Sequence, residues 1–120
     1  MAQILIVEDN PDNMTLFQAV LRMGGHEITG LDDGGPLLAT VDAGVPDLVL
    51  LDIQLPGRDG FMLHRDLRKH LGGRCPKVVA LTAHAMQGDR DRAMEAGFDG
   101  YITKPITVAS FCQQVEAFLA

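Results

Sequence analysis

Apolar residues in this chain come in short unbroken runs and in longer, spaced stripes, and the two kinds alternate from one end to the other. The most pronounced run is Leu48-Val49-Leu50-Leu51, entered from Asp47 and left at Asp52. Four apolar residues without polar alternation predict a strand buried on both faces. An ionised carboxylate leaving such a strand is costly unless something pairs with it, so Asp52 is unlike a packing residue. Gln3 to Glu8 is a second run and ends at Glu8-Asp9; Lys77 to Leu81 ends in polar Thr82; Gly100 to Thr103 is brief and ends at Lys104-Pro105. His26 to Leu31 predicts a weaker strand.

Helical spacing fills the intervals. Asn10 suits a helix cap and Pro11 a first helical position, followed by a stripe of Met14, Phe17, Val20 and Leu21 that Gly24-Gly25 ends. Asp32 to Gly35 with Pro36 opens a short helix carrying Leu37, Leu38 and Val41, and Phe61, His64, Leu67 and Leu71 mark a third helix. Met86 to Ala96 predicts a helix of low apolar contrast stopped by Gly97. Val108, Phe111, Cys112, Val115, Phe118 and Leu119 form the clearest amphipathic stripe. Five strands alternating with five helices predict an α/β fold, a single doubly wound parallel sheet with helices on both faces and right-handed crossovers.

Composition narrows the range of functions. With 120 residues the chain is expected to be one domain, 1–120, with no output domain. An apolar fraction of 47% excludes a disordered chain, and no run approaches the roughly eighteen residues of a membrane span. The first apolar run is too short for a signal peptide and meets acids at once, so a cytoplasmic protein is expected. A net charge of −6 with ten Lys and Arg argues against unaided nucleic-acid binding and favours a protein partner or a cation. Cys75 and Cys112 match no zinc or redox spacing and read as packing or loop residues.

The informative signal is where the apolar runs stop: Glu8 and Asp9 after the first, Asp52 after the third, Thr82 after the fourth, Lys104 after the fifth. In an open α/β sheet, ligands sit in the crevice beyond the carboxyl ends of the strands. Together with Val7-Glu8-Asp9-Asn10, Pro46-Asp47-Leu48, Leu55-Pro56 with Gly60, Leu81-Thr82-Ala83 and Lys104-Pro105-Ile106, these residues resemble the receiver domain of two-component response regulators, the CheY-like superfamily, over Ile4 to Leu119. Asn13-Met14, Asp52 to Pro56 and Ala85 to Asp89 look most like single-domain cell-cycle regulators of that family and like receivers fused to hybrid histidine kinases.

That resemblance implies the flavodoxin-like strand order 2-1-3-4-5. Neighbouring strands lie about 4.8 Å apart, so this order brings Asp9 and Asp52 close enough to share a small cation, for which magnesium suits the hard oxygen ligands. The resemblance puts Asp9 and Asp52 on Mg2+ directly, Glu8 through water, and the backbone carbonyl of Gln54 as a further ligand. It makes Asp52 the phosphoryl acceptor, with Lys104 and Thr82 assisting, Thr82 and Tyr101 a coupled switch, and the Lys104-Pro105 bond cis. The expected donor is a histidine kinase or histidine phosphotransfer protein, and the expected output is a downstream protein bound at the face of the fourth helix, fifth strand and fifth helix. Such a protein is a phosphoryl acceptor that assists its own phosphorylation and dephosphorylation, not an enzyme with a separate substrate.

Two rivals share parts of this pattern. An aspartate-nucleophile phosphatase of the haloacid-dehalogenase type wants a second acid two residues after the first, where Gln54 stands. A flavin-binding module wants a hydroxyl- and glycine-rich phosphate loop, which acidic Glu8-Asp9-Asn10 would repel. His64 and His70 are six apart, wrong for a shared metal; His26 and His84 have no partner in sequence; these read as surface or packing residues. Asp32-Asp33 reads as a helix entry, and Asp89 to Arg92 as a solvated helix face.

Overall fold

Each strand places its apolar residues on both sides of one sheet, and that determines the layers. In the computed structural model, which describes residues 2–53, 60–82, 87–103 and 108–119, the strands are β1 (Gln3–Val7), β2 (Glu27–Leu31), β3 (Leu48–Asp52), β4 (Lys77–Thr82) and β5 (Gly100–Thr103). All pairings are parallel, in the order β2-β1-β3-β4-β5. The helices are α1 (Pro11–Met23), α2 (Leu37–Ala43), α3 (Gly60–Leu71), α4 (Gln87–Glu95) and α5 (Val108–Leu119).

Alternation along the strands splits the core in two. Ile4, Ile6, Leu48, Leu50, Val79, Leu81 and Ile102 face α1 and α5, meeting Phe17, Val20, Leu21, Phe111 and Val115. Phe17 and Phe111 stack with ring centroids 5.0 Å apart and tie the two helices together. Leu5, Val7, Val49, Leu51, Val78 and Ala80 face the other way, onto Leu37 and Val41 of α2, Leu63, Leu67 and Leu71 of α3, and Ala93 of α4. Every residue of β3 is buried, as a central parallel strand requires, and each of its leucines and its valine contributes roughly 1.5–3 kcal/mol by leaving water. β2, at the sheet edge, has no fully buried residue, which explains its weak sequence pattern.

Local signals account for the element boundaries. Asn10 caps α1 as expected, its side-chain oxygen accepting from the amides of Asp12 (2.9 Å) and Asn13 (3.1 Å). Asp33 closes a turn through Gly35 N (2.6 Å) just before α2, whose own cap, Pro36, makes no side-chain hydrogen bond. Gly72–Arg74, which the apolar pattern does not mark, forms a 3₁₀ turn after α3, with Gly72 at φ +57. α4 is mostly polar; of its residues 91–95, only Ala93 is buried, while Arg92 lies over the Phe61 ring at 4.7 Å. Among the described residues, no helix is long and apolar enough to cross a membrane.

Candidate functional site

The β1–β3 register pairs Ile4 with Leu48 and Val7 with Leu51; carried on by one residue, it sets Glu8 beside Asp52. Ligand oxygens of Glu8, Asp9 and Asp52 all lie within 4.8 Å of one another. Glu8 is 1% exposed and Asp52 2%, whereas Asp9 is open to solvent, so the cluster has two buried walls and one exposed carboxylate at its mouth. Like charges at this separation repel by roughly 3–4 kcal/mol per pair at an effective dielectric of about 20. Three hard oxygen donors with no sulfur or nitrogen among them fit a small divalent cation, which would offset that repulsion.

Neighbouring backbone holds the cluster in shape. Glu8 N donates to Leu31 O (3.0 Å), fixing the end of β1 to β2, and Glu8 Oε1 accepts from Asn10 N (3.2 Å). Ile53 N donates to Leu81 O (3.1 Å), extending the β3–β4 ladder one residue past Asp52. Gly60 begins α3 directly against this strand end: a Cβ there would lie 2.8 Å from Asp52 O and would collide with the Ile53 backbone. Glycine is required at that position by close approach, not by a positive φ.

Thr82, 1% exposed, ends β4 next to Asp52, whose β4 partner is Leu81. Tyr101 pairs with Ala80, and because alternate strand residues share a face, Tyr101 and Thr82 lie on the same side of the sheet. Tyr101 is half-buried against the core on that side. Gln54, Lys104 and Pro105 lie outside the described residues, and with them the carbonyl ligand, the lysine and the cis bond expected from sequence.

Two further polar clusters were not legible in the sequence. His64 is buried, stacks on Phe98 (4.1 Å between centroids) and accepts from Arg68 Nε at 3.1 Å. Arg68 also donates to Gly97 O (3.1 Å) and to Asp99 Oδ2 (2.8 Å), which in turn accepts from Val78 N (2.8 Å). Burial first, then the Arg68 guanidinium, hold the His64 pKa below its ordinary value, with Asp99 opposing. At the other end of the sheet His26 meets Glu116 (Nε2 to Oε1, 3.4 Å), a partner ninety residues away, and Glu116 also accepts from Cys112 Sγ (3.1 Å). His70, expected to be a surface or packing residue, is exposed and pairs with Asp42 of α2 at 2.7 Å, away from His64. His84 lies outside the described residues.

Comparison with known proteins agrees with this geometry. The model of the response regulator receiver domain matches residues 4–116. The polar-differentiation response regulator DivK of Brucella ovis is 37% identical over 116 residues, 97% of this chain and 94% of that protein. Among solved structures, the receiver domain of a sensor histidine kinase from Pseudomonas aeruginosa PAO1, with magnesium coordinated in its active-site cleft, is 36% identical at a TM-score of 0.86, covering 98% of this chain and 97% of that one. A response regulator from Chloroflexus aurantiacus is 28% identical at a TM-score of 0.90, with 98% and 97% covered. A family match over nearly the whole chain, the strand order β2-β1-β3-β4-β5 and a carboxylate cluster at the strand ends lead to one conclusion: the chain is a response regulator receiver domain of two-component signal transduction, and DivK is among its relatives.

Proposed function

We propose that Asp52 is the phosphoryl acceptor of this receiver domain, that the domain works in the cytoplasm, and that its donor is the phosphohistidine of a histidine kinase or histidine phosphotransfer protein. The observation that carries this reading is the convergence of Glu8, Asp9 and Asp52 at the carboxyl end of the most buried strand. An Asp52 carboxylate oxygen attacks phosphorus, the phosphorus–nitrogen bond of the donor breaks, and the departing imidazole takes up a proton. The product is an aspartyl phosphate. Asp9 and Asp52, with Glu8 through water and the Gln54 carbonyl, would hold Mg2+. Bound there, Mg2+ would supply positive charge against the carboxylates and the transferring phosphoryl group. Lys104 supplies a cation on the far side and Thr82 a hydroxyl donor, so the chain assists its own phosphorylation and dephosphorylation without a separate substrate.

Output follows from the charge delivered. A phosphoryl group adds about −1.5 to −2 charges and strong acceptor oxygens, which draw the Thr82 hydroxyl toward Asp52 and leave room for Tyr101 to turn inward. A cis Lys104-Pro105 bond aims Lys104 into the site. α4, β5 and α5 then present an altered face to a downstream protein, whose response is limited by its differential affinity for the two states.

Intact mass after incubation with Mg2+ and acetyl phosphate tests the assignment. The parent gains one phosphoryl group and Asp52→Asn none; equal labelling of the two overturns it. Amide NMR spectra with and without a phosphoryl mimic and Mg2+ test the output face. Shifts confined to the loops beside Asp9 and Asp52, with residues 84–108 unmoved, would mean that the signal leaves by another route.

A further inference from the structure

Three side chains of different chemistry meet at the amino-terminal end of the sheet, the end opposite Glu8 and Asp52. One ligand atom each of His26, Cys112 and Glu116 lies within 4.8 Å of the other two. Cys112 and Glu116 are four apart on α5, hence on one face of the helix, and His26 enters from the turn between α1 and β2. Gly24 leaves the room they share: a Cβ there would lie 2.9 Å from Cys112 Sγ, 3.3 Å from Glu116 Oε1 and 3.3 Å from His26 Cδ2. A cleft of about 680 Å³ opens beside them, lined also by Ala2, Asp47, Lys77 and Phe118.

We propose that His26, Cys112 and Glu116 form a second metal site, selective for a borderline-soft divalent ion such as Zn2+ and distinct from the all-oxygen cluster at Asp52. Imidazole, thiolate and carboxylate together suit Zn2+ and are foreign to Mg2+. Tetrahedral Zn2+, with bonds of about 2.3 Å to sulfur and about 2.0 Å to nitrogen or oxygen, separates sulfur from oxygen by about 3.5 Å and nitrogen from oxygen by about 3.3 Å. The corresponding separations are 3.1 Å for Cys112 Sγ to Glu116 Oε1 and 3.4 Å for His26 Nε2 to Glu116 Oε1. These two separations lie within a few tenths of an ångström of the tetrahedral values, the third, from His26 to Cys112, is at most 4.8 Å and would close on binding, and the cleft supplies the fourth position to water.

Without metal the three side chains form a hydrogen-bonded chain. Ala2 N donates to His26 Nδ1 at 3.3 Å, so Nε2 carries the ring proton toward Glu116, which also accepts from the Cys112 thiol. Loading moves the imidazole proton to Nδ1, releases the Ala2 contact and sends the thiol proton to solvent as the thiolate forms. The bound ion then pins the carboxyl half of α5 to the start of β2.

Co2+ is the probe, added in excess to the reduced full chain with Mg2+ already saturating the oxygen cluster. The expected result is a thiolate-to-cobalt charge-transfer band that Zn2+ abolishes by displacement. It persists in Cys75→Ser and Asp52→Asn, disappears in Cys112→Ser, and requires more than about tenfold more Co2+ in Glu116→Gln, whose half-exposed side chain keeps its shape and an oxygen in the substitution. A parent without the band, or a band that survives in Cys112→Ser, overturns the proposal. So does a Glu116→Gln titration that coincides with the parent's.

Discussion

Replacing Gly60 by alanine puts one methyl group into the junction between α3 and the end of β3. The added Cβ would stand 2.8 Å from Asp52 O and 3.1 Å from the Ile53 carbonyl carbon, and nearer still to Ile53 Cα. Carbon contacts are comfortable at about 3.5–4.0 Å, so the helix start and the strand end must separate by close to an ångström. All the obstructing atoms are backbone, and Ile53 N is held to Leu81 O at 3.1 Å, so no side chain can swing aside. Overpacking of this kind costs about 1–3 kcal/mol. Alanine's helix preference, worth up to about 1 kcal/mol in a helix interior, returns little at the first residue of α3. Gly73→Ala is the matched control, because a Cβ there meets nothing within 4 Å and its φ is not positive. Urea unfolding should show Gly60→Ala less stable than the parent by about 1–3 kcal/mol and Gly73→Ala within about 0.5 kcal/mol of it. Labelling by acetyl phosphate should slow in Gly60→Ala, since the displaced backbone carries Asp52. Equal stability of the two variants would refute close approach as the reason for glycine at 60.

Asn10→Ala should cost about 1 kcal/mol in the same assay and Asn10→Ser much less, because serine keeps an oxygen for the amides of Asp12 and Asn13. Asp99→Ala removes the acceptor of both Arg68 and the part-buried Val78 amide and should cost about 1–3 kcal/mol, more than Arg68→Ala, whose partly solvated ion pair contributes less. For His64 the folded-state pKa lies below the unfolded value of about 6.5, so the unfolded chain binds the proton first. Its stability contribution is therefore complete above about pH 6.5 and is lost as pH falls toward the folded value. His64→Leu should flatten the urea midpoint between about pH 7.5 and about pH 5.5; an unchanged slope would mean that other groups govern this limb.

The parts of this molecule that could be read in the sequence are those in which neighbouring residues share one environment. β3 announces itself because all five of its residues are buried, and α1 because its cap, its proline and its stripe are local. Strand order is different. Parallel pairing of β1 with β3 joins residues more than forty positions apart, and no local pattern selects it over other orders, so family resemblance supplied it. The carboxylate cluster could be suspected from polar residues at run ends, yet its convergence depends on that order. His26 with Glu116 and Arg68 with Asp99 lie beyond such reasoning: each joins two elements whose mutual approach is known only once the sheet is built. Gly60 enters the sequence reading as part of the family motif with Leu55-Pro56, while the structure shows a steric requirement imposed by Ile53.

The interior position of β1 also dictates how the chain can be assembled during synthesis. One neighbour, β2, follows within about a helix's length, but the other, β3, ends at residue 52, and β4 must follow before β3 is itself enclosed. A nascent chain of some thirty residues thus holds a β1–β2 pair whose Ile4 and Ile6 side is covered by α1 while the Leu5 and Val7 side and one strand edge are still bare, a species prone to wrong pairing. Contacts of long sequence separation make closure slow relative to a helical bundle of equal size. Glu8 and Asp9 therefore emerge tens of residues before Asp52, and the carboxylate cluster comes into being only as the two central strands zip together, the last act of β1 and the first of β3.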